Sequence, residues 1–264
     1  MNKGRSTIKE AGGFLFDMDG VIWRGDSLFP GAEKVVQKIR GEGKKILFVT
    51  NNASKTRKHF QRKLGSMGIT VSEGELINSA YAASHYIARE QGPSKIHVLG
   101  SEGLGKELLN LGHTLVERGA DFVVTGHTTE CCWIDLRNAL WNIHYDGAKF
   151  IACNADRTAD HGEGLIPAAG AFMKALEYSS NTKPTVVGKP SKPVYDLALE
   201  ILGLSKQECV MVGDNLETDV KGAVDNQIFS VLVETGVHDK ADFDRFGVKP
   251  DLVLDSVADL EEYI

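Results

Sequence analysis

Two aspartates one residue apart, Asp17 and Asp19, close the run Phe14-Leu15-Phe16-Asp17-Met18-Asp19-Gly20-Val21. Strand residues alternate faces, so a strand continued straight through this run would point both carboxylates the same way. Two carboxylates projecting together, with Gly20 letting the chain turn away, suit a divalent cation; the same pattern also occurs in solvated turns. Three later stretches carry related chemistry. Lys45–Asn52 is an apolar run that stops in Thr50 and Asn51, Thr185–Pro190 leads into Lys189, and Cys209–Asp214 ends in an acid with Asp219 beyond it. Acids that hold Mg²⁺, with a hydroxyl, an amide and an ammonium to meet phosphate oxygens, suit a metal plus a phosphoryl group.

The residue types also suggest a reaction. A carboxylate is ionised at pH 7 and attacks phosphorus without an adjacent base. Because an anion then attacks an anion, Mg²⁺ and Lys189 are needed to offset the charge of both. The departing alkoxide needs a proton, which a second carboxyl two residues away supplies before it deprotonates the attacking water.

These side chains require a frame that gathers distant segments. The apolar run Phe14–Phe16 is followed by a helical pattern (Ala32, Val35, Val36, Ile39), the strand Lys45–Thr50, and a second helix with Phe60, Leu64 and Met67 on one face. Strand and helix alternating over short connections predict a parallel sheet covered on both faces. In open parallel sheets ligands bind outside the carboxyl ends of the strands, so the four reactive ends should converge. From about Ser79 to Thr182 the alternation continues without such clusters, through strands at Lys95–Leu99, Asp121–Thr125 and Lys149–Cys153. The fold expected is therefore α/β: a doubly wound, Rossmann-like parallel-sheet core over residues 1–78 and 183–264, with an inserted α/β cap over 79–182. The interval from Asp17 to Thr50 is too short for an inserted domain, whereas that from Thr50 to Lys189 holds one easily.

Composition bounds the function. The 264 residues are 42% hydrophobic and 25% charged, ordinary for a globular protein with ample core. A net charge of −6 argues against nucleic acid or an anionic membrane as the main partner. No stretch approaches the ~18 apolar residues of a membrane span, and Met1–Glu10 lacks the apolar core of a signal peptide. The four cysteines have no metal or disulfide spacing; Cys153 and Cys209 read as reduced core residues, and a cytoplasmic setting is expected. Trp133 and Trp141, near one helical face, are expected in the core, with a homodimer contact as the other reading. The glycine-rich Gly100–Gly105 reads as a helix start, since it does not match a dinucleotide loop.

The ordered set Asp17-Met18-Asp19-Gly20, Thr50-Asn51-Asn52, Gly188-Lys189-Pro190 and Gly213-Asp214 with Asp219 resembles the four motifs of the haloacid dehalogenase superfamily of phosphatases. Thr50-Asn51-Asn52, Ile77-Asn78-Ser79-Ala80 and Gly100-Ser101-Glu102-Gly103-Leu104 further resemble its NagD/p-nitrophenylphosphatase subfamily, which carries a large α/β cap. The resemblance implies an Mg²⁺-dependent hydrolase of small phosphomonoesters. In it Asp17 is the nucleophile that forms an aspartyl-phosphate, and Asp19 is the general acid/base and a metal ligand through its main-chain carbonyl. Asp214 is a metal ligand, Asp219 an outer one, and Thr50 and Asn51 bind the phosphoryl group. Lys189 steadies both the nucleophile and the phosphoryl group. In the cap, Arg157 or His161 contacts the leaving group, unless 157–164 is only a solvated glycine-rich loop. Departures lie mostly there, as in Cys153-Asn154-Ala155-Asp156 and Pro167-Ala168-Ala169-Gly170, and they bear on the substrate. A phosphotransferase, or a catalytically weak binding or scaffold protein on the same fold, are the alternatives.

Overall fold

The computed structural model describes residues 3–160 and 164–264. The chain separates into two compact units, one of residues 1–50, 60–77 and 189–264, the other of 51–59 and 78–188.

The first unit is built on a six-stranded sheet ordered Leu252–Leu254, Phe229–Val233, Cys209–Gly213, Gly13–Phe16, Lys45–Thr50, Leu76–Asn78. Gly13–Phe16 pairs in parallel with Cys209–Gly213 on one side and Lys45–Thr50 on the other, and the pairings out to Leu252–Leu254 are also parallel. Every residue of the two central strands is buried, as expected of strands covered on both faces. Chain order runs one way from Gly13–Phe16 through Lys45–Thr50 and the other way from Cys209–Gly213, so the reversal lies between the two central strands. A crevice opens at such a reversal at the carboxyl ends. Asp17 and Asp214 are the first residues past those two ends.

Packing fixes the strands. Phe16 lies beside Phe48 with ring centroids 6.0 Å apart, and both are fully buried with Val35, Val36 and Ile39 of the helix Ala32–Gly41. The i, i+3, i+4, i+7 spacing delivers those three side chains to the sheet. Burying one such aromatic stabilises the fold by roughly 2–3 kcal/mol.

The second unit has its own five-stranded sheet, ordered Thr185–Val186, Lys149–Ala152, Phe122–Thr125, Lys95–Leu99, Thr114–Leu115, parallel throughout. Helices Trp133–His144 and Ala169–Ser180 contribute Ala139, Ile143, Met173 and Leu176 to its core with Val123 and Phe150. Glu102–Asn110 is a helix starting within the glycine-rich stretch, as read from the sequence. Two sequence expectations need correction. The sequence places Thr185–Val186 among the reactive-ended strands, but it pairs with Lys149–Ala152 as an edge strand of the second sheet; two residues, one exposed and one half-buried, carry too little pattern to show which sheet they join. Trp133 is 71% exposed rather than in the core. It opens its helix, and the Arg137 guanidinium lies over both Trp133 and Trp141, 5.6 and 4.4 Å from the ring centroids. Cys153 and Cys209 are buried, and burial pushes both thiols up, Cys153 to about 12. Among the described residues no helix is long and apolar enough to cross a membrane.

Candidate active site

Lys189 sits at the centre of the carboxyl ends of the first unit's sheet. Its side chain is 2% exposed, and its Nζ donates to Asp17 Oδ1 at 2.5 Å, Asp219 Oδ1 at 2.7 Å and the Val49 carbonyl at 3.0 Å. Lys189 thus ties together the ends of three segments: the strand of Asp17, the strand that ends in Thr50, and the turn that bears Asp219. Thr50 is 4% exposed at the end of the strand neighbouring Gly13–Phe16. Asp17, Asp214 and Asp219 each offer a carboxylate oxygen within 4.8 Å of the others. Asp219, expected as an outer residue, lies within this cluster. Asp19 does not: the strand stops at Phe16, the chain turns, and Asp19 is exposed.

Fully ionised, the three carboxylates would outnumber the single ammonium. Burial pushes the Asp17 carboxyl up; Lys189 opposes this, and Asp219 and Asp214 add to it. Burial, then the neighbouring Asp219, pushes Asp214 up to about 7, against the Val237 N–H and Lys189. For Lys189 burial alone would lower the ammonium, but Asp17 and Asp219 outweigh it and hold it protonated well above its usual range. One ammonium therefore serves three buried carboxylates. Clustered hard oxygen donors that a cation would hold ionised fit a hard divalent cation.

Local chain geometry enforces the arrangement. Asp219 rides on a π-helical turn, Leu216–Val220, and accepts the Asn215 N–H on Oδ2 at 3.1 Å. Tyr195, fully buried, donates its hydroxyl to the Thr218 and Asp219 carbonyls at 3.3 Å each. Asp214 Oδ2 accepts the Val237 N–H at 2.8 Å. Gly20 has φ +82°, and a Cβ there would lie 2.3 Å from Asp214 Oδ2, so both backbone and space require glycine.

In the second unit, the segment that follows Thr50 is held by its own network. Asn51 donates its amide to both Asp156 oxygens at 3.2 Å, and its carbonyl accepts from Ser79 Oγ and from Asn154 Nδ2 at 2.7 Å. Arg57 lies over the Tyr81 ring at 3.6 Å and pairs with Glu107, whose side chain is 1% exposed. Arg157 is exposed just before the strand Thr158–Asp160, which pairs antiparallel with Leu165–Pro167. His161 lies outside the described residues.

A sequence model described as haloacid dehalogenase-like hydrolase matches residues 14–114, and a second, HAD-hydrolase-like, matches 186–260. The ribonucleotide monophosphatase NagD of Escherichia coli K12 is 32% identical over 97% of this chain and 99% of its own length. The chain belongs to the haloacid dehalogenase-like hydrolases. Relatives within that family include named phosphatases. A dihydroxyacetone phosphatase of Corynebacterium glutamicum is 29% identical over 94% of this chain and 90% of its own. The solved p-nitrophenyl phosphatase from Archaeoglobus fulgidus superposes with a TM-score of 0.93 at 34% identity, covering 97% of this chain and 100% of that one. This haloacid dehalogenase-like chain is therefore an enzyme of the NagD/p-nitrophenylphosphatase branch. The stretch between the two model matches, 115–185, falls in the second unit.

Several contacting residues were not singled out from the sequence. Tyr195, Val237, Trp23 and Glu107 belong to no motif, and only their tertiary neighbours give them a role. Asn154 and Asp156 read from the sequence only as part of a motif, and their contacts with Asn51 come from the tertiary structure.

Proposed function

We propose that this chain hydrolyses small phosphomonoesters with Mg²⁺, through an aspartyl-phosphate on Asp17. The observation that carries the reading is Lys189, buried and shared between Asp17 and Asp219 beside Asp214. Asp17 and Asp214, with Asp219 close by and the Asp19 carbonyl implied by the family resemblance, would hold the cation. When bound, Mg²⁺ supplies positive charge for the phosphoryl oxygens and lowers the repulsion between nucleophile and substrate.

The remaining steps belong to the chain's own groups. Lys189 holds Asp17 Oδ1 and so fixes the carboxylate that attacks phosphorus as the ester oxygen leaves. Asp19, exposed where Asp17 is buried, is accessible to the ester oxygen and gives it a proton. The same carboxylate then takes a proton from water, which attacks the aspartyl-phosphate and releases inorganic phosphate and the free Asp17. The family resemblance adds Thr50 and Asn51 as binders of phosphoryl oxygens, and Arg157 or His161 as a contact of the leaving group. Substrates are small phosphorylated metabolites: the relatives' names span a ribonucleotide, a triose phosphate and an aryl phosphate.

The test is phosphate release from p-nitrophenyl phosphate with Mg²⁺ and with EDTA, for the natural chain and Asp17→Asn. Asn keeps the size and removes the charge and nucleophilicity. Metal-dependent turnover that falls at least about a thousandfold in Asp17→Asn is expected. Turnover that survives the substitution, or that EDTA leaves untouched, would refute the reading.

A further inference from the structure

Resting on the reading that Asp19 exchanges a proton with the leaving group and with water, we propose that Trp23 is a positioning residue for Asp19. The indole Nε1–H donates to Asp19 Oδ1 at 2.6 Å. Trp23 is fully buried and among the largest such side chains in the molecule, whereas Asp19 is exposed. An indole has one polar atom, and leaving it buried without a partner is unfavourable. Here that partner is an ionisable carboxylate two residues from the nucleophile.

The ring is held from several directions. It packs into the main core cluster. Lys63 lies 4.6 Å above it and donates to the Gly25 carbonyl at 2.7 Å, closing the small hairpin that begins at Trp23. The Trp23 carbonyl accepts the Gly20 N–H at 2.8 Å, its own N–H reaches the Met18 carbonyl at 3.2 Å, and Asp19 and Trp23 form a β-bridge. The next residue, Arg24, donates to the Thr235 carbonyl. The indole N–H is therefore a fixed point, and Asp19 is oriented by it.

The chemical consequence concerns the two oxygens of Asp19. Oδ1, accepting the indole hydrogen, is not the oxygen that carries the transferable proton; Oδ2 is. An exposed aspartate otherwise samples several rotamers, and proton transfer requires hydrogen-bond reach of the ester oxygen. Trp23 thus confines the carboxyl to the rotamer that presents Oδ2.

The experiment compares aryl phosphates graded from p-nitrophenyl to phenyl, similar in shape but increasingly in need of a proton on departure. The proteins are the natural chain, Trp23→Phe, a variant with a benzothiophene isostere (sulfur in place of N–H) at position 23, and Asp19→Asn as benchmark. The p-nitrophenyl to phenyl ratio of kcat/KM, which reports the step in which the ester oxygen leaves, should grow about tenfold in both position-23 variants, in the direction of Asp19→Asn. A merely structural Trp23 would lower both esters by one factor, and that result, or no change in the ratio, overturns the proposal. If Trp23→Phe does not fold, the isostere, which keeps the ring volume, decides. A steepened ratio in Asp19→Asn without one in the position-23 variants sinks this inference alone. Failure of the natural chain to hydrolyse any of the esters sinks the functional reading and this inference with it.

Discussion

At the scale of single residues, the site depends on what is missing as much as on what is present. Gly20 lets the chain leave the central strand with φ +82° and lets Asp214 come within the space a Cβ would take. Gly20→Ala combines a strained backbone with that collision, so it should displace Asp214 and weaken the site. The expected outcome is loss of most Mg²⁺-induced thermal stabilisation, with far-UV circular dichroism unchanged; an undiminished shift would show that the loop absorbs the methyl. That Asp17, Lys189 and Asp214 come together was legible in the sequence, because the clue lies in their types and their order at strand ends. The place of Asp219 among the clustered carboxylates was not legible, because it depends on a π-helical turn. A π turn forms where tertiary contacts, here the Tyr195 hydroxyl, serve its extra carbonyls, and no local pattern encodes it.

At the scale of elements, the segment after Thr50 illustrates how a loop is given one conformation. Glu107 accepts the Arg57 main-chain N–H at 2.6 Å and its guanidinium at 3.3 Å, while Asn78 and Ser101 donate to the Lys55 and Ala53 carbonyls. Gly103 lies so close that a Cβ would come 2.4 Å from the Ser54 carbonyl. Truncating Glu107 leaves a largely buried guanidinium without its carboxylate. Glu107→Ala should therefore cost about 3–5 kcal/mol in urea unfolding, several times the loss for an exposed ion pair. A loss below about 1 kcal/mol would mean that water replaces the carboxylate. The helices and central strands were legible from periodicity, since Val35, Val36 and Ile39 announce a buried face without reference to any partner. The edge strand Thr185–Val186 was not, because a two-residue ladder takes its sheet from the neighbour it meets.

At the scale of the whole molecule, the buried carboxylates couple stability to pH and, on the proposed reading, to Mg²⁺. The carboxyl of Asp214 is raised from 3.8 to about 7, so between those values the metal-free folded protein binds more protons than the unfolded chain. The stability this group contributes is complete below its unfolded value and is lost as pH rises through about 7; Asp17 is shifted in the same direction. A cation must displace those protons, so the Mg²⁺-induced rise in Tm should be larger at pH 8 than at pH 5. In Asp214→Asn the metal-free protein should lose less stability between pH 5 and pH 8 than the natural chain, and respond less to Mg²⁺. Thermal unfolding at the two pH values, with and without the metal, checks both signs. The amino-acid order by itself determined the α/β class, the alternation of strands and helices, and the acids, hydroxyl and lysine at their ends. Those properties are local: side-chain chemistry, and periodicities of two and 3.6 residues that must match a buried face. Only the tertiary structure decided that Lys189 bridges Asp17 and Asp219, that Asp19 stands apart on the Trp23 indole, and that Asn51 is held by Asp156. Each of those contacts joins side chains by a distance or an angle that depends on how the packed elements and turns come to rest, and that is set by the core as a whole.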